Sequence, residues 1–270
     1  MKGAEKEDPE ALYFLGKSYA GGKGVVQDYV KAAEYYSKAA EKGYAYAQNN
    51  LGACYARGLG VKQDYQQAAG WYRKAAEQGD ALAQYSLGSA YSTGRGVPQD
   101  LREALKWWRK SAEQNQLQAQ NALGQHFFWT AANETNREAS EKSYCEAATW
   151  LEKCAESGQA DAMNNLAYLY SQGLGVQRSL EQAVRWYRAA AELGFAKAQG
   201  NLGLMYQDGT GVPQDLVEAH KWFTLGANQG DAIGRRQVME YRDKKLLTPE
   251  QFAEAERLAR RFEAVPTGSR

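Results

Sequence analysis

The side chains able to do acid–base, nucleophilic or metal chemistry in this 270-residue chain are few and far apart. There are two histidines, His126 and His220, and three cysteines, Cys54, Cys145 and Cys154. A metal site needs three or four such ligands at short, characteristic spacings, and these five residues offer none. No Cys-x-x-Cys occurs, and Cys145 and Cys154 would stand about 13 Å apart on one helix, beyond disulfide reach. An odd cysteine count without pairing predicts free, mostly buried thiols of a reducing compartment. Each histidine reads as a polar residue carried on a helix. Gly16-Lys17-Ser18 imitates the end of a phosphate-binding loop, but Ala11 stands where its first glycine must be and no strand leads into it. Asp28, Asp64, Asp100 and Asp215 recur in like surroundings. Asp64, Asp100 and Asp215 precede Gln67, Glu103 and Glu218 by three residues, the pattern of a helix start rather than of a carboxylate site. Asn133-Glu134-Thr135 is a glycosylation sequon with force only in a secreted eukaryotic protein. The expectation is a protein with no catalytic residues, no metal ligands and no cofactor.

Composition narrows the partners. Hydrophobic residues make up 44% and charged residues 24%, the mix of a soluble globular chain. Lys and Arg number 33 against 32 Asp and Glu, a net charge of +1, which provides no footprint for nucleic acid or an anionic membrane. No apolar run approaches the about 18 residues of a membrane span. The charged segment Met1 to Asp8 lacks the apolar stretch of a secretory signal, so the cytoplasm is the expected compartment. A leader removed ahead of Met1 would instead place the protein in the periplasm or outside the cell.

The elements that position everything else come from a repeat. Leu15-Gly16, Leu51-Gly52, Leu87-Gly88, Leu123-Gly124 and Leu202-Gly203 share a pattern, with Leu166-Ala167 as a variant. Successive leucines lie 36, 36, 36, 43 and 36 residues apart. An aromatic stands four after each (Tyr19, Tyr55, Tyr91, Phe127, Tyr170, Tyr206) and an alanine four before (Ala11, Ala47, Ala83, Ala119, Ala162, Ala198). That spacing is one face of a helix, here called helix A. Gly-x-Gly-Val follows at 22–25, 58–61, 94–97, 173–176 and 209–212. Its first glycine suits a left-handed helix end and its second a tight reversal. Three residues on, Asp28, Asp64, Asp100, Ser179 or Asp215 starts a second helix, B, with Trp71-Tyr72, Trp107-Trp108, Trp186-Tyr187 or Trp222-Phe223 among alanines. Glycine inside helix A costs about 1 kcal/mol relative to alanine, so its recurrence after leucine implies that another helix must come close. One such unit cannot bury its own apolar face, and the units must stack.

The combined pattern, Ala-x-x-x-Leu-Gly-x-x-Tyr-x-x-Gly-x-Gly-Val-x-x-Asp-x-x-x-Ala-x-x-Trp-Tyr-x-x-Ala-Ala-x-x-Gly, resembles the Sel-one-like repeat, a relative of the tetratricopeptide repeat with a longer turn. The resemblance covers residues 8–230 as six units: 8–43, 44–79, 80–115, 116–158, 159–194 and 195–230. It implies an all-α fold, a right-handed α/α superhelical solenoid of helix-turn-helix repeats in a single domain, acting as an adaptor or scaffold between proteins. A degenerate repeat and capping helix over 231–264 and a tail over 265–270 complete the chain. Leu247-Thr248-Pro249-Glu250-Gln251-Phe252 resembles the carboxyl ends of bacterial members. Independently, Thr248 reads as an N-cap with Pro249 and Gln251 at the first and third helical positions, opening a helix to about Glu263. Links of some relatives to β-lactams leave an enzyme or a binder of cell-wall-type small molecules as an alternative reading, and self-association through the groove or an end as another.

Repeat four departs from the pattern. It lacks Gly-x-Gly-Val, carries seven extra residues, and follows a stretch, 114–133, without one charge. Segment 127–134 either lengthens helix A, tucking Phe128 and Trp129 against a neighbour, or protrudes as an aromatic contact patch. In tetratricopeptide-like units helix A lines the concave side. The positions five and two before the leucine and two, five and six after it are expected to lie open there. They gather Tyr46, Asn49, Tyr85, Asn121, Gln125, Phe128, Trp129, Asn164 and Tyr168. Amides alternating with tyrosines suit an extended segment of another protein, the amides bonding its backbone and the rings taking its side chains. The protein itself is expected to be a monomer or weak homo-oligomer. Its near-zero net charge predicts an affinity that depends weakly on salt.

Overall fold

Asp28, Asp64, Asp100, Ser179 and Asp215 each begin a helix in the structure, a computed structural model that describes residues 8–263. The expectations for the first seven residues and for the tail at 265–270 lie outside the described residues. Fourteen helices and no strand are found among the described residues: α1 (Pro9–Gly21), α2 (Tyr29–Glu41), α3 (Ala45–Arg57), α4 (Tyr65–Glu77), α5 (Ala81–Thr93), α6 (Leu101–Glu113), α7 (Leu117–Asn133), α8 (Arg137–Glu156), α9 (Ala160–Gln172), α10 (Leu180–Glu192), α11 (Ala196–Asp208), α12 (Leu216–Asn228), α13 (Ala232–Asp243) and α14 (Pro249–Arg261). Odd-numbered helices up to α11 are the A helices and even-numbered ones up to α12 the B helices of an all-α helical-repeat solenoid. The chain divides into two compact units, Met1–Ala122 and Leu123–Arg270, each described by itself.

The caps are local chemistry. The Asp64 carboxylate accepts from the Gln66 and Gln67 amides at 2.9 and 3.0 Å, and Asp100 accepts likewise from Arg102 and Glu103 at 2.9 and 3.1 Å. The expected return bond from the third helical residue is replaced. Glu103 and Glu218 instead pair with Lys106 and Lys221 at 2.9 and 3.0 Å, one turn further on. The full reciprocal box forms at Thr248 and Gln251. Asp64→Ala or Asp100→Ala should each lower stability by about 1 kcal/mol, read as a reduced urea midpoint with an unchanged slope.

Packing explains the glycines within helix A. A Cβ on Gly16, Gly52 or Gly88 would lie 2.7, 2.8 or 2.5 Å from the ring of Tyr36, Tyr72 or Trp108 on the following B helix. In the second unit Gly203 meets Phe223 in the same way, at 2.5 Å. The repeat leucines from the second repeat on are sealed: Leu51, Leu87, Leu123, Leu166 and Leu202 are at most 2% exposed, whereas Leu15 of the first repeat is half-buried. The second loop glycine does more than reverse the chain. A Cβ on Gly60 or Gly96 would overlap the backbone carbonyl of Tyr29 or Tyr65, because each loop rests on the start of the preceding repeat's B helix. Gly24, with no preceding repeat among the described residues, meets nothing within 4 Å.

A ladder of buried amides, unforeseen above, ties repeats together. Gln48, Gln84, Gln120 and Gln199, each three residues before the leucine, donate through Nε2 to the carbonyls of Ala40, Ala76, Ala112 and Ala191 at 3.1–3.2 Å. Gln48, Gln84 and Gln199 also accept from Gln78, Gln114 and Gln229 at 2.7–2.9 Å. Buried amides left unpaired would each cost about 1–3 kcal/mol, so their satisfaction fixes where consecutive repeats meet. The signal was present as a recurring glutamine.

At the carboxyl end α14 lies on α12. Phe252 stands 4.8 Å from the His220 ring and Phe262 stands 5.5 Å from Trp222. His220 is no surface residue. It is fully buried, stacked on Tyr241 at 5.3 Å, with Nε2 3.5 Å from Glu256 Oε1. Burial lowers its pKa against a weaker upward pull from Glu256.

Candidate functional site

The seven extra residues of repeat four lengthen both of its helices instead of making a loop. α7 has 17 residues and α8 has 20, against 13 in their counterparts. Asn136 caps α8 through the Ala139 amide at 3.0 Å, leaving only 134–136 between the helices. The alternative posed by the sequence therefore divides between neighbours. Phe128 turns inward, half-buried, with its ring 6.1 Å from Tyr144 and 5.9 Å from Tyr168. Trp129 turns outward, 64% exposed, edge-on to Phe128 at 5.9 Å.

Four of the nine expected site residues meet here. Tyr168 is 41% exposed beside Phe128, and Gln125, one turn before Trp129, donates to Asp161 Oδ2 at 3.3 Å. Tyr144 supports the rings from below. Its pKa is raised, first by burial and then by the nearby Tyr168 and Glu141. The result is an open aromatic face on a helix without charge.

The amides are placed differently. Asn49 and Asn164 were expected to lie open, and they are only 5% and 8% exposed. For Asn164 the next A helix provides the cover. Asn201, one residue before the next leucine, donates to Asn164 Oδ1 at 3.0 Å, and Asn164 donates to Asn165 Oδ1 at 3.3 Å. The same relation in the first unit brings Asn50 to the hydroxyls of Tyr13 and Tyr36. Asn121 and Tyr85 are half-buried. Tyr46 is 57% exposed and joins a separate aromatic cluster of the first unit, 6.1 Å from Tyr13 and 5.6 Å from Tyr44. Tyr44 had no place in the sequence reading, since it falls between helices as the N-cap of α3.

The groups considered for chemistry are dispersed. Cys54 and Cys154 are buried thiols whose pKa values burial raises, that of Cys154 to about 11, and Cys145 is exposed on α8. Among the described residues no group of three or more His, Cys, Asp or Glu could hold a metal ion, and no helix is long and apolar enough to cross a membrane.

Five segments, 9–44, 45–80, 81–116, 160–195 and 196–231, match the Sel1 repeat, leaving the altered fourth period between them. The chain is similar to the crystal structure of a Sel1 repeat protein from Oxalobacter formigenes, with 31% identity over 94% of this chain and 99% of that one and a TM-score of 0.72. It also resembles c5321, a protective antigen of uropathogenic Escherichia coli displaying an SLR fold, at 31% identity, 96% and 69% coverage and a TM-score of 0.44. A putative sel1 repeat protein from Klebsiella pneumoniae is 23% identical, covering 77% of this chain and 98% of that one, with a TM-score of 0.42. No curated protein sequence matches the chain. With its repeats matched over most of the described residues, the chain belongs to the Sel1 repeat family, whose members generally serve as protein-interaction modules and typically as non-catalytic scaffolds.

Proposed function

We propose that this protein is an adaptor that docks a segment of another protein on the A-helix face, with Gln125, Phe128, Trp129 and Tyr168 as the principal contact in the second unit. The observation that carries this reading is Trp129, 64% exposed beside two further rings. A large aromatic surface open to water is costly unless something covers it, and binding energy concentrates on such anchors. Tyr46, with Tyr13 and Tyr44, offers a second contact of the same kind in the first unit. Asn164 ties two A helices together beneath such a surface, and Asn49 is likewise buried, so neither grips the partner's backbone. The free thiols favour the cytoplasm as its compartment.

The test starts from affinity capture in the native source, followed by binding measurements with the purified partner. Trp129→Ala or Tyr168→Ala should weaken binding by about 2 kcal/mol, roughly thirtyfold, with the circular dichroism of the free protein unchanged. Lys74→Ala on the outer side of α4 should bind as the unaltered protein does. The reverse pattern would move the partner to the B helices and sink the reading.

A further inference from the structure

His220 stands at the centre of the contact that α14 makes with α12. Its imidazole is fully buried between two rings, Tyr241 of α13 at 5.3 Å and Phe252 of α14 at 4.8 Å. Neither ring nitrogen has a hydrogen-bond partner among the described residues. Glu256 Oε1 of α14 lies 3.5 Å from Nε2, long for a hydrogen bond, and the same oxygen accepts from Thr224 Oγ1 at 3.4 Å. Trp222 Nε1, whose ring meets Phe262 of α14, is buried without a partner as well. A neutral imidazole is tolerated in such a place. An imidazolium brings a charge and two N–H donors, and the site is built to satisfy neither.

The charged groups around the ring do not reverse this. Burial holds the His220 pKa below its ordinary value; Glu256 of α14 pulls it up more weakly, and Arg242 of α13 pushes it down. Tyr241 is kept neutral, its phenol pKa raised by burial and then by Asp208 of α11, Glu240 and Asp215. On α12 itself Glu218 and Lys221 pair with each other at 3.0 Å. Undocking of α14 removes Phe252 and Glu256 and opens the ring to water, where a histidine takes a proton near about pH 6.5. Below that pH the undocked state therefore binds more protons than the docked one. The docking energy is fully present above about pH 6.5 and is lost as pH falls below it.

We infer that α14 is an acid-released clasp: protonation of His220 drives the terminal helix off α12, and loss of that proton lets the helix close again. Each release takes up one proton, at the imidazole. The unpaired nitrogens of His220 and Trp222 gain hydrogen bonds to water on release, so undocking costs less than the burial of Phe252 and Phe262 alone implies. The end of the solenoid that carries Trp222 is thereby covered at neutral pH and uncovered in acid.

The experiment is hydrogen–deuterium exchange of the full chain in neutral and mildly acidic buffer, corrected for the intrinsic pH dependence of amide exchange, with α5 of the first unit as reference. Between about pH 7.5 and about pH 5.5 the opening constant of α14 should rise severalfold, toward a ceiling of about tenfold set by one proton, while that of α5 changes less than about twofold. Histidine NMR of the unaltered chain, with His126→Gln assigning the two signals, should show His220 still neutral at about pH 6.5. His220→Phe puts an aromatic that cannot titrate between the two rings and should abolish the acid response of α14. Glu256→Gln keeps an acceptor for Thr224 and removes the charge that favours the proton, so its acid response should exceed that of the unaltered chain. Weakening of α14 by Glu256→Gln to the same extent at both pH values is what a merely structural contact gives, and it overturns the clasp. An acid response missing from the unaltered chain, or surviving in His220→Phe, overturns it too. So does a His220 signal that titrates at or above about pH 6.5, a result that decides the matter even where His220→Phe fails to fold.

Discussion

Gly96→Ala should destabilise the protein by about 3 kcal/mol or more, whereas Gly24→Ala should cost only about 1–2 kcal/mol. The two glycines occupy the same loop position in different repeats, at φ +77° and +75°. A non-glycine residue in the left-handed region pays about 1–2 kcal/mol at either site. Only at Gly96 does a Cβ also overlap the Tyr65 carbonyl at the start of α4. Overpacking of a tight contact adds about 1–3 kcal/mol, and here the obstacle is backbone, which cannot rotate aside as a side chain can. The loop of the third repeat must lift off α4 or α4 must fray. Urea unfolding of the two variants side by side separates the backbone cost from the contact between repeats. Equal losses would mean that the loop is not seated on the preceding repeat.

Removing residues 246–270 should yield a chain that unfolds at lower denaturant and associates more than the unaltered protein. The deletion strips α14 from α12, taking Phe252 from His220 and Phe262 from Trp222, along with the buried Ala255 and Ala259. Full burial of such a ring is worth about 1.5–3 kcal/mol. With both rings half-buried, a total near 3 kcal/mol is the expected loss. Leu247, which packs with Phe223 and Tyr241, goes as well. Trp222, 5% exposed in the intact chain, would then face water as part of an apolar patch. Light scattering across concentration and thermal unfolding report the two effects. A truncated chain that stays monomeric and equally stable would make the segment an appendage instead of a cap.

The features legible without coordinates are those whose energy is settled within a few residues. A helix start at Asp64 needs only the next two amides, and a left-handed end at Gly58 or Gly94 needs only a missing Cβ. The 36-residue recurrence of such signals, with a leucine face too apolar to leave open, then determined an all-helical stack and membership of an interaction family. The mid-helix glycines were legible too, because an unfavourable residue that recurs must be offset by a close contact.

Tertiary packing decided what each position faces. Asn49 and Asn164 read as open from one helix, yet both are buried, Asn164 beneath Asn201 of the next A helix, a contact between residues one repeat apart. His220 is polar by type and wholly buried by position, because a helix more than thirty residues later closes over it. Phe128 and Trp129 are adjacent and chemically alike in sequence. Consecutive side chains on an α-helix diverge by about 100°, so once α7 docks against α8 and α9 one ring turns toward Tyr144 and Tyr168, half-buried, and the other faces solvent. Local sequence determined that an aromatic pair would stand on an uncharged helix, and only the packing around that helix decided which of the two is left open to solvent.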